Sequence, residues 1–152
     1  MGLDVSHGCW SGAYSAFMRW RYTLAEVAGL PPLDLMEGFY EYGSVYDPIH
    51  VAEHSISVCG AFDRIKENLP IKWDCLKPDP YLYALLYHSD CDGEIAWQDC
   101  DSLADRLEKL LPQLEQKGNE GEGHIGSYAK KTKQFIEGLR LAASRKENVE
   151  FE

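Results

Sequence analysis

Tyr81-Leu82-Tyr83-Ala84-Leu85-Leu86-Tyr87 is a run of seven apolar and aromatic residues, closed on one side by Asp79-Pro80 and on the other by the polar turn His88-Ser89-Asp90-Cys91-Asp92-Gly93. Its shortness and aromatic content lean toward a buried strand, with a helix as the open alternative. Two further segments would join it in a sheet. Leu3 to Ser6 alternates apolar and polar residues, and Val149 and Phe151 alternate with glutamates in the tail; both have the period of a half-buried strand. Three segments carry helical spacing instead. Ala13, Phe17, Trp20, Leu24 and Val27 recur until Gly29 and Pro31-Pro32 stop them. Cys100, Leu103, Ala104, Leu107, Leu110, Leu111 and Leu114 make the cleanest amphipathic stripe. A last helix is expected from about Ser127 to Ser144, with Tyr128, Phe135, Ile136, Leu139 and Ala143 inward. The expected fold is a single α+β domain over 1–152, a small sheet covered by three to four helices. Residues 30–80 read as an irregular excursion, with a weaker helix over Val51 to Asn68, and 117–123 as a mobile loop.

The composition bounds the function. The 152 residues are 45% hydrophobic and 12% aromatic, enough for a real core, so disorder of the whole chain is excluded. Asp plus Glu number 25 against 15 for Lys plus Arg, a formal charge of -10 that argues against holding duplex nucleic acid. There is no window of the roughly 20 apolar residues a membrane helix needs, and MGLDVSHG lacks the marks of a signal peptide. A cytoplasmic protein is expected, with no membrane partner. The five cysteines are scattered without a C-x-x-C pair and read as reduced thiols.

Two turns concentrate polar chemistry. His88-Ser89-Asp90-Cys91-Asp92-Gly93-Glu94-Ile95 approximates a calcium loop with Gly93 at the sixth position, but His88 stands at the first ligand place and Asp99 at the twelfth. A plain turn, with Asp90 and Asp92 accepting backbone N–H groups, explains it as well. His7-Gly8-Cys9-Trp10-Ser11-Gly12-Ala13-Tyr14 combines a glycine turn and a helix start with an imidazole and two flat aromatics, a composition suited to a base-like ring; alternatively Trp10 staples the turn to the core. Gly8-x-x-x-Gly12 lacks the Lys-Ser/Thr ending of a P-loop. Between His124 and Lys146 six basic residues face one acid, Glu137, and with Arg19 and Arg21 this helix could hold phosphates, or be a solvated face. A metal site would need His7, His88, Asp90, Asp92 and His124 to converge from distant segments; His50 and His54 have no third ligand nearby, and of the thiols, none in a recognised catalytic context, Cys91 with His88 is the least implausible nucleophile.

The residues therefore lean toward a non-catalytic binding protein for a small anionic, nucleotide-like ligand, without a cofactor or metal. The ligand wall is expected to comprise His7, Trp10, Tyr14, Arg21, His88, Asp90, Asp92, His124 and Tyr128. The alternatives are a hydrolase, metal-assisted or not, acting through His88, Asp90 and Asp92, and an inhibitor whose acidic surface meets a basic protein. A homo-oligomer is compatible with any of these.

Gly2-Leu3-Asp4, His7-Gly8, Trp10, Gly12-Ala13-Tyr14-Ser15-Ala16-Phe17, Arg19-Trp20-Arg21, His88-Ser89-Asp90-Cys91-Asp92-Gly93-Glu94 and Phe135-Ile136-x-Gly138-Leu139-Arg140 together resemble small uncharacterised proteins of bacteriophages and prophages. The likeness covers the first 25 or so residues and most of the chain after Tyr81. It implies a setting in the host cytoplasm and a role in countering host defence, including by sequestering nucleotide-derived immune signals.

Overall fold

The structure is a computed structural model that describes residues 2–30, 33, 36, 80–86, 88, 92–117 and 127–152. The expectations for Val51 to Asn68, His50, His54, Asp90, Cys91, His124 and nearly all of 30–80 and 117–123 lie outside the described residues. What is described is an α+β arrangement around one hydrophobic cluster.

The chain begins with an antiparallel hairpin. β1 (Gly2–Val5) pairs with β2 (Trp10–Ala13) from Gly2 opposite Ala13 to Val5 opposite Trp10, with a single 3-10 turn over Ser6–Gly8 between them. Leu3 and Val5 point into the core while Asp4 is exposed, as the alternation requires. α1 (Tyr14–Val27) follows directly and buries Phe17, Trp20 and Leu24. It stops where expected. Gly29 adopts φ 74°, and the N–H groups of Leu30 and Gly29 close on the carbonyls of Ala25 and Glu26, the paired bonds of a glycine-terminated helix.

The Tyr81 to Tyr87 strand is a correction: the segment is helical, α2 (Pro80–Leu86). Leu82, Leu85 and Leu86 are fully buried and Ala84 is exposed, so its burial has helical period and not the alternation of a strand. The sheet is completed instead by β3 (Glu94–Ile95) and β4 (Val149–Glu150), paired as Glu94 with Glu150 and Ile95 with Val149. The tail strand read from Val149 and Phe151 is present. It links the two small sheets: Val5 bridges to Phe151, Asp4 and Glu152 exchange both backbone hydrogen bonds (3.0 and 2.8 Å), and Phe151 N–H donates to Gly93 O (3.0 Å). The two antiparallel two-stranded sheets, β1 with β2 and β3 with β4, are thus joined between β1 and residues 151–152, again antiparallel.

α3 (Trp97–Lys117) and α4 (Tyr128–Arg145) cover the core. The Asn148 side chain accepts from Trp97 N–H (3.0 Å), and the Ser127 hydroxyl caps α4 by accepting from Lys130 N–H. The helices run antiparallel. Arg140 of α4 engages Asp101, Asp105 and Glu108, one face of the first half of α3, and Lys133 reaches Glu115 near its end (3.2 Å). α4 also lies against the hairpin turn, where Gln134 Nε2 donates to Gly8 O and Gly138 leaves room for the backbone and thiol of Cys9.

Alternation along β1, β3, β4 and the residues flanking them puts Asp4, Asp92, Glu94, Glu150 and Glu152 on or beside the outer face, all exposed. Glu94 stands directly opposite Glu150 and Asp4 opposite Glu152, and like charges facing each other across a strand pair are destabilising. Glu150→Lys is therefore expected to stabilise the protein by about 0.5 kcal/mol, which raises Tm by about 1–2 °C. A thermal melt at low salt checks this; an unchanged or lower Tm would show that the carboxylates do not feel each other.

Candidate functional site

The residues expected to form one ligand wall occupy three different environments. Trp10 is 1% exposed and belongs to the core, stacked on Trp20 at 5.2 Å and edge-on to Phe17 at the same distance. Its Nε1 has no hydrogen-bond partner among the described residues. Tyr128 is also buried, and its carbonyl accepts from Thr132 Oγ1, which in turn accepts from Trp20 Nε1 (both 2.8 Å). The stapling reading of Trp10 is thus what the packing shows, and neither ring offers its face to solvent. Tyr14 is half-buried at the start of α1.

Arg21 is 1% exposed and serves the backbone. Its Nη1 donates to the carbonyls of Leu85, Leu86 and His88, its Nη2 lies against Met18 Sδ, and its guanidinium stands 4.7 Å from the centre of the Phe17 ring. A cation at the C-terminal carbonyls of α2 satisfies groups the helix itself cannot. This position holds the segment that carries His88 and leaves the guanidinium committed.

His7 and His88 both reach the C-terminal strand, His7 where it begins and His88 where it ends. The His88 ring stacks on Phe151 (4.0 Å, 24°), and its Nε2 contacts Glu94 O at 3.2 Å. Asp92 is exposed. His7 sits in the left-handed backbone region (φ 59°, ψ 19°), a conformation that costs a non-glycine residue about 1–2 kcal/mol. Its Nδ1 is 2.8 Å from Ser6 Oγ, and its Nε2 faces Glu147 Oε1 at 3.7 Å. Ser6 Oγ accepts from Glu150 N–H (2.8 Å) and has its own proton to donate to Nδ1 in the tautomer that carries the imidazole proton on Nε2, toward Glu147. Ser6 and Glu147 were missed as candidates. Adjacency to His7 was a usable signal for Ser6; nothing in the sequence pointed to Glu147, which arrives from the far end of the chain.

The basic helix is largely spent on internal partners. Arg140 is held well above its ordinary pKa, first by its hydrogen bond to Asp105 and then by that to Asp101, and so stays charged. Lys131 Nζ lies 4.9 Å from the Trp10 ring centre. Lys130 and Arg145 are exposed. Asp90 and His124, the remaining members of the expected wall, lie outside the described residues. Among the described residues no group of three or more His, Cys, Asp or Glu is placed to hold a metal ion, and no helix is long and apolar enough to cross a membrane.

The two described thiols are buried. Burial pushes Cys9 up to about 12 from an ordinary 9.0, with Cys100 adding to the rise, and burial followed by the charges of Asp101 and Asp99 pushes Cys100 up to about 11. Neither is a nucleophile at neutral pH. Both folded values lie above the unfolded one, so neutral thiols favour the fold: their contribution is fully present below about pH 9 and is lost as pH rises toward 11 to 12. Tm is expected to fall over that window, and Cys9→Ala is expected to flatten the fall. An equally steep fall in the variant would remove Cys9 as its origin.

No family model, curated protein or solved structure matches the chain.

Proposed function

We propose that the protein is a binding protein whose acidic sheet face meets a basic protein partner. The observation that carries this reading is the division of charge. Two cations of α4, Arg140 and Lys133, are paired with carboxylates of α3, while Asp4, Asp92, Glu94, Glu150 and Glu152 collect on an exposed face where no ion pair reaches them among the described residues. Like charges set opposite each other weaken the sheet, and a cationic partner removes that penalty while gaining association rate from the field.

The test is binding of a fluorescent arginine-rich peptide, followed by anisotropy at several salt concentrations. The combined variant Asp4→Asn/Glu94→Gln/Glu150→Gln/Glu152→Gln is expected to weaken binding at least tenfold. Asp99→Asn/Glu137→Gln, exposed acids elsewhere, should change it little. Equal losses from both sets would reduce the effect to net charge and overturn the assignment to the sheet face.

A second reading, sequestration of a nucleotide-derived immune signal by a phage protein, draws on the resemblance of the sequence motifs and on one feature of α4: Lys130 and Lys131 stand in its first turn, where backbone N–H groups favour an anion. Heat release separates the readings. Protein incubated with a nucleotide extract, then denatured, should return an intact ligand if it sequesters one, an altered ligand if it is the alternative hydrolase, and no depletion if the partner is a protein.

A further inference from the structure

Ser6, His7 and Glu147 form the one hydroxyl, imidazole and carboxylate series among the described contacts, and the acidic-face reading makes no use of it. We infer that Ser6 is a nucleophile activated by His7, with neutral or cationic carboxylic esters as its substrate class. Three observations converge. Ser6 Oγ lies 2.8 Å from Nδ1, within reach for proton transfer, and its second contact, the N–H of Glu150, takes one acceptor site of the hydroxyl and leaves its proton available to the ring. The imidazole is 9% exposed and its other nitrogen faces Glu147 at 3.7 Å, a carboxylate placed to stabilise an imidazolium. His7 holds a left-handed backbone, uncommon for any residue but glycine, and surrounding bonds support it: Cys9 N–H to Ser6 O, and Gln134 to Gly8 O.

The step balances without a co-reactant other than water. Ser6 Oγ attacks the ester carbonyl and its proton passes to His7 Nδ1; the tetrahedral adduct collapses, the C–O bond to the alcohol breaks, and the leaving alkoxide takes the proton from Nδ1. Water, deprotonated by the same nitrogen, then attacks the acyl-serine; the acyl–Oγ bond breaks, Ser6 Oγ takes the proton back from Nδ1, and the acid is released. Electrostatics selects the substrate. Ser6 is bonded to Glu150, which stands opposite Glu94, so an anionic ester meets repulsion at the nucleophile and a cationic one does not.

The experiment incubates the protein with p-nitrophenyl acetate, follows p-nitrophenolate release, and maps the acylated residue by peptide mass. Acetyl is expected on Ser6 with a burst of product, and Ser6→Ala should lose both. His7→Asn keeps a residue type that tolerates the left-handed backbone and should slow acylation about 100-fold, the scale of a lost general base, at a Tm close to the parent protein. A p-nitrophenyl ester with a carboxylate in its acyl group should react at least tenfold slower. Absence of acetyl on Ser6 in the unaltered protein, or acylation of the His7→Asn protein at the parent rate, overturns the inference; equal rates for the two esters overturn the substrate class. Loss of the sheet-face peptide binding would leave these outcomes untouched, so the two readings fail separately.

Discussion

Gly138→Val is expected to lower stability by about 3 kcal/mol, a drop of some 6–12 °C in Tm for a chain of this size. A Cβ at this position of α4 would stand 2.4 Å from Cys9 Sγ, 2.9 Å from Cys9 N and 3.0 Å from its Cα. A thiol can turn away, but the backbone of the hairpin cannot move without disturbing the Ser6–Gly8 turn and the strand pair behind it. Gly138→Ala sharpens the comparison. Alanine is favoured over glycine inside a helix by about 1 kcal/mol, so if nothing opposed it the variant would be the more stable. The steric effect is larger, and a net loss of about 1–2 kcal/mol is expected. A denaturant titration settles the sign: a stabilised alanine variant would mean that α4 can stand off from the turn.

Arg21→Met is expected to cost about 3 kcal/mol. Methionine fills similar volume over Phe17, so the loss is chiefly the donor to the carbonyls of buried Leu85 and Leu86 and of half-buried His88. The effect should be local as well as global. Amide exchange in α2 is expected to accelerate more than exchange in α3, and the stacking of His88 on Phe151 should loosen with it. A uniform change in exchange across all helices would instead assign Arg21 a role in general packing.

α1, α3 and α4 were legible because each buries one stripe for at least three turns, so that the 3.6-residue period outweighs local accidents. The tail was legible too, since Val149 and Phe151 alternate with Glu150 and Glu152. The run Tyr81 to Tyr87 was misread because seven apolar residues are too short for periodicity to decide between helix and strand. The deciding signs were there: Pro80 is suited to the first position of a helix, and Leu82, Leu85 and Leu86 are spaced by three and four. β2 and β3 had no such signature, Trp-Ser-Gly-Ala being poor in strand formers and Glu94-Ile95 too short to show a period; their partners impose them. The site was legible only in part. His7 and His88 attracted notice by their chemistry, whereas the burial of Trp10, Tyr128 and Arg21 depends on what packs over them, and a sequence does not state that for a guanidinium or an indole.

The pairing of Asp4 with Glu152 has a mechanical consequence. The two strands run in opposite directions with residues 2 and 152 at the same end of the pair, so a force applied to those residues loads the backbone hydrogen bonds one after another, as a zipper is opened, and never together in shear. Each such bond contributes about 1 kcal/mol. The chain should therefore yield at low force when pulled through these residues and resist more when held through α3 and α4, whose antiparallel faces must slide past each other along their whole length before they part.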